Sequence, residues 1–71
     1  MKISPEEFEL LNPAGLIDLL RLEGIAISEE VEQIILKQHI GGESLMLLTR
    51  HELESYGIPG GLAVVIKHRI P

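Results

Sequence analysis

The sequence predicts an all-α fold, a compact bundle of about five short helices preceded by a short helical arm. Three observations carry this. Several segments open on a capping residue and close on a glycine or proline, as helices do. Between those ends the apolar residues recur at helical rather than alternating spacing. The chain has 71 residues and 45% apolar content, with one Phe, one Tyr and no Trp, so one domain with an aliphatic core is what it can build.

Ser4-Pro5-Glu6-Glu7 is a helix start, with a cap, proline at the first helical position and glutamate at the third. Ile3 and Phe8 sit at staple positions, and Leu10 and Leu11 extend the apolar contact. Asn12-Pro13 stops this turn and caps a new helix over 13–23. Residues 1–11 are therefore read as an arm and 12–71 as the helical domain, with Phe8 plugging one end of the bundle. In the second helix Leu16, Leu19 and Leu20 form the core face, Ile17 and Leu22 lie off it, and Gly24 ends it.

Ser28 caps a third helix, with Glu29 and Glu30 in its first turn and Lys37 in its last. Val31, Ile34 and Ile35 face the core. Gly41-Gly42 breaks the chain, and 43–48 forms one short turn of helix. Thr49 with Glu52 makes a capping box, and Leu48 with Leu53 a hydrophobic staple. Leu53 and Tyr56 share a face, and Gly57 supplies the left-handed end. Ile58 to Gly61 is a turn, and the last helix runs from about Leu62, with Leu62, Ala63, Ile66 and Ile70 on one face.

The stretch Gly42, Leu45-Met46, Leu48-Thr49, Glu52-Leu53, Tyr56-Gly57-Ile58 resembles the middle of a sterile alpha motif (SAM) domain without a gap. Leu16, Leu19-Leu20 and Gly24-Ile25 match the spacing of that family's first helix, with Leu19 where the family has Trp. The resemblance covers roughly 14–70. It departs at Gly41, where the family has Asp, at a segment between Ile25 and Ile40 about three residues longer than the family's, and at Leu62-Ala63, where polar residues are usual.

The resemblance implies a SAM-like fold and a protein–protein interaction module, a scaffold that self-associates head to tail in signalling or regulation. A mid-loop surface of one copy would meet the end-helix surface of the next. On the mid-loop side it points to Glu43, Leu47 and Glu54. On the end-helix side it points to Gly61, Leu62, Val64, Val65 and Lys67. The partner is then the chain itself or another helical interaction domain. SAM domains that bind RNA use basic residues where this chain has Gly61, Leu62 and Ala63, so that activity is not carried over.

Charge and chemistry narrow the other classes. Net charge is −5. Residues 1–32 carry eight acids against Lys2 and Arg21, −6, and residues 33–71 carry three acids against four bases, +1. Such a chain is a poor general nucleic-acid binder, because phosphate contacts need clustered Lys and Arg. The alternative reading is Gly57 to Gly61 as the hairpin of a helix-hairpin-helix motif, holding a DNA phosphate on backbone amides. Glu52 and Glu54 would repel that phosphate.

His39, His51 and His68 lie singly on three elements with no paired ligand, so no metal site is expected. Ser44, Ser55, Thr49 and His51 have no strand-to-helix elbow to make a nucleophile, and adjacent Glu29-Glu30 cannot face one substrate across a cleft. No enzyme and no cofactor is expected. There is no cysteine for a disulfide, no apolar run long enough for a membrane span and no signal peptide, so an intracellular setting, cytoplasmic or nuclear, is expected.

Overall fold

The computed structural model describes all residues 1–71 and contains six α-helices: α1 (Pro5–Glu9), α2 (Pro13–Leu22), α3 (Glu29–Lys37), α4 (Gly42–Leu47), α5 (Arg50–Ser55) and α6 (Gly60–Arg69). Four of them start on the side chain read from the sequence. Ser4, Asn12, Ser28 and Thr49 accept from the amides of Glu7, Gly15, Val31 and Glu52 respectively. Each bond satisfies an amide that the first helical turn leaves free. Gly24 (φ +83°) and Gly57 (φ +102°) take the left-handed conformation that closes α2 and α5.

Helix α1 packs on α4, α2 on α3 and α5 on α6, around one core. Phe8, Leu16, Leu20, Ile40, Leu53 and Ile66 are its largest fully buried members. The radius of gyration, 10.7 Å, is close to the roughly 11 Å of a folded chain this long. Residues 1–11 share this core through Phe8, which is wholly buried. No buried residue is polar or charged.

The structure differs from the sequence reading in several places, each set by packing. On α2, Ile17 is buried while Leu19 is only partly covered, because α3 packs on the side of Ile17, which borders one depression with Glu32 and Leu36. Leu10 points outward, 85% exposed, so it does not extend the Phe8 contact, whereas Leu22 is 82% exposed in keeping with its place off the core face. Ile34 does face the core with Val31 and Ile35, but is only partly buried against it. Tyr56 is the C-cap of α5 and 38% exposed, so it does not share the burial of Leu53. Helix α6 begins at Gly60, since the Pro59 carbonyl already accepts from the Ala63 amide at 2.9 Å.

Side chains tie the helices at their ends. Arg21 Nη2 donates to the Ile27 carbonyl at 3.0 Å and Arg21 Nη1 pairs with Glu32 at 2.7 Å, fixing α3 against α2. Arg69 Nη1 donates to the Glu23 carbonyl at 3.1 Å, fixing the end of α6 on the end of α2. No helix is long and apolar enough to cross a membrane.

Candidate interaction surfaces

Helix α4 has six residues and buries Gly42 and Leu45. Leu47, two positions after Leu45, therefore faces the other way, and it stands 77% exposed. It borders a groove of about 340 Å³ between the end of α3, α4 and the start of α5. Ile40, Leu48 and Tyr56 supply the rest of the apolar lining, and Gln38, Ser44 and Glu52 the polar part.

Local structure fixes this groove. His39 ends α3 in the left-handed region, φ 54°, and turns the chain so that Ile40 enters the core. A non-glycine residue held there is strained, and such strain tends to gather at functional surfaces. Thr49 and Glu52 fix the far side. Glu52 Oε1 accepts from the Thr49 amide at 2.9 Å, and the Glu52 amide donates to Thr49 Oγ1 at 3.1 Å. The bond from the Thr49 amide, then that from its side chain, hold the Glu52 carboxyl below its ordinary value, with a smaller contribution from His51. Glu52 is thus an ionised, committed acceptor. Glu43 is exposed in the first turn of α4, where its charge suits the helix dipole.

The second surface is the outer side of α6. This helix buries Ala63 and Ile66, and Leu62 is half-buried. Val64 and Val65 remain 45% and 42% exposed. A Cβ on Gly61 would meet nothing within 4 Å. The fold therefore has no steric need for glycine there.

Of the three charged residues read with these surfaces, Glu54 and Lys67 reach across to the opposite one. Glu54 turns toward the start of α6, and its Oε1 lies 2.8 Å from where a Cβ on Gly60 would stand. Arg50 Nε is 3.5 Å from its other oxygen. Helix α6 has no side-chain cap, so this carboxylate supplies the negative charge that a helix start favours. The same carboxylate opposes a phosphate at Gly57 to Gly61. Lys67, on α6, donates from Nζ to the carbonyls of Leu45 at 2.9 Å and Met46 at 3.3 Å, at the end of α4.

Of the residues named from the sequence, Leu47, Val64 and Val65 stand exposed; Ser44 and Tyr56, which line the groove, and the left-handed His39 turn beside it were not named with these surfaces. The lone tyrosine directly before a capping glycine was a usable signal for Tyr56. The left-handed His39 had none, since histidine is an ordinary helix-end residue. A wider depression of about 570 Å³ over the first turns of α3 is lined by Ser28, Glu29, Glu30, Gln33 and Ile34, with one apolar side chain among them. Its two glutamates make it an acidic patch of the surface. No group of three or more His, Cys, Asp or Glu gathers to hold a metal ion. Comparison of the chain with protein-family models, with curated proteins and with solved structures finds no match.

Proposed function

We propose that this protein is a protein–protein interaction module that self-associates head to tail, the groove beside Leu47 receiving the Val64–Val65 side of α6 from a second copy. One observation carries it: Leu47 stands 77% exposed at the edge of a groove with an apolar lining, while Val64 and Val65 stand exposed on a different helix. Gly61 adds support. Glycine within a helix costs about 1 kcal/mol against alanine, and the space over Gly61 is open, which suits close approach of a partner backbone. Two unlike patches make a heterologous contact, which propagates into a ring or an open helix. The SAM resemblance, a scaffold role and an intracellular setting belong to the same reading. The departure at Gly41 has a physical account within it: a Cβ there would lie 2.7 Å from the Leu11 carbonyl oxygen, so the family's Asp does not fit under this arm.

Complementary variants test the proposal. Leu47→Glu spoils the groove and Val65→Glu spoils the α6 side, because a carboxylate buried without a partner is costly. Each variant alone is expected to be monomeric by light scattering. Their equimolar mixture is expected to form a dimer and nothing larger, at tens of micromolar, where a contact of about −7 kcal/mol is populated. A parent that stays monomeric overturns self-association. A mixture that stays monomeric while the parent assembles overturns this pair of surfaces.

A further inference from the structure

Lys67 belongs to α6 by sequence and sits three residues after Val64, which places the two on neighbouring positions of one helix side. Its ammonium leaves that side. It is part-buried against α4 and bonded to the last carbonyls there, Leu45 O and Met46 O, across more than twenty residues of chain. None of the molecule's ion pairs involves Lys67, so those carbonyls are the partners its charge has. Cations and donors at a helix C-terminus satisfy the orphan carbonyls and suit the dipole.

Helix α4 needs such a tie. It has six residues and no side-chain N-cap, and a helix that short is not stable by itself. Its start is held by the Gly42 amide on the Leu11 carbonyl at 2.9 Å. Its end carries Leu47 and, one residue on, Leu48, both on the groove. We infer that Lys67 is a positioning residue for the Leu47 groove rather than a contact residue of the α6 surface: by clamping the α4 C-terminus from behind, it sets the direction in which Leu47 is presented to a partner. This rests on the interaction reading above for what the groove does, and on the two hydrogen bonds for how it is held. It also reverses the side to which the family resemblance assigns the residue.

The complementary pair separates the two assignments. In a mixture of Leu47→Glu and Val65→Glu chains, the Val65→Glu chain supplies the working groove and the Leu47→Glu chain the working α6 surface. Lys67→Met is placed in one chain at a time; it keeps an apolar stem of similar length and removes the donor. In the groove-supplying chain it is expected to raise the heterodimer Kd at least about fivefold, measured by titration calorimetry. In the other chain it should leave Kd within about twofold, as surface changes do. The opposite pattern, or no change in either chain, overturns the inference.

Hydrogen exchange of the Lys67→Met single variant gives a readout that does not depend on association. The Leu48 amide, bonded to Ser44 O, should exchange faster than in the parent, while the Ile70 amide, bonded to Ile66 O, should not. A parent that never assembles overturns the interaction reading alone. The clamp on α4 is then judged by exchange, where unchanged protection at Leu48 overturns it and loss confined to α4 supports it.

Discussion

The amide of Gly42 donates to the carbonyl oxygen of Leu11 at 2.9 Å, so the first residue of α4 is bonded to the loop that follows α1. A Cβ on Gly42 would fall on the carbonyl oxygen of Phe8. Glycine is needed here for close approach, not for an unusual backbone angle. The short N-terminal helix is locked to the centre of the chain through two backbones in contact, and Phe8 fills the core beneath them.

Gly42→Ala is therefore expected to be severely destabilising, by about 3 kcal/mol or more, since neither backbone can move aside cheaply. Gly61→Ala is the matched control. Open space and a helical position make it neutral or stabilising by up to about 1 kcal/mol. Thermal melting of both variants checks the contrast, and equal melting temperatures would contradict the Gly42 contact.

Leu53 is wholly buried at the centre of α5. Leu53→Ala should cost about 2–5 kcal/mol in a urea titration, a large part of what a domain this small has. A midpoint within error of the parent would mean that α5 does not seat on the core through this residue.

The capping box gives a pH dependence with a definite sign. The Glu52 carboxyl is held below its ordinary value, chiefly by the Thr49 amide. Its stabilising contribution is thus fully present above the unfolded-state value and is lost as pH falls through the folded one. Glu52→Gln should flatten the acid side of the stability profile between about pH 5 and pH 3 relative to the parent. Thr49→Ala should cost about 1 kcal/mol at neutral pH. A parallel loss of stability in parent and Glu52→Gln across that range would rule out this assignment.

His39 occupies the left-handed region at φ 54°. Glycine adopts that angle without steric cost, so His39→Gly should raise stability, by about 1 kcal/mol less what the more flexible unfolded chain takes back. The turn lies beside the groove, so the same variant also asks whether the strain has a use. Calorimetric melting measures the first, and the complementary-pair titration the second. A lower melting temperature would show that the His39 side chain makes a contribution that outweighs its strain.

The sequence by itself determined the helical class, four caps and the two glycine ends. Each of those is a bond or an angle within one turn: Ser28 with Val31, Thr49 with Glu52, Gly24 and Gly57 at positive φ. Helical spacing also separates Val64 and Val65 from Ala63 and Ile66, whereas Leu47 was named only through the family resemblance. Tertiary structure decided the rest. That Ile17 is buried and Leu19 only partly so depends on where α3 lies. That Gly41 and Gly42 are needed depends on the close pass of residues 8–12, some thirty residues earlier in the chain. The charges of Glu54 and Lys67 were visible in the sequence, but their directions were not. Long side chains on exposed positions choose among partners by distance, and the start of α6 and the end of α4 become those partners only once the helices are packed.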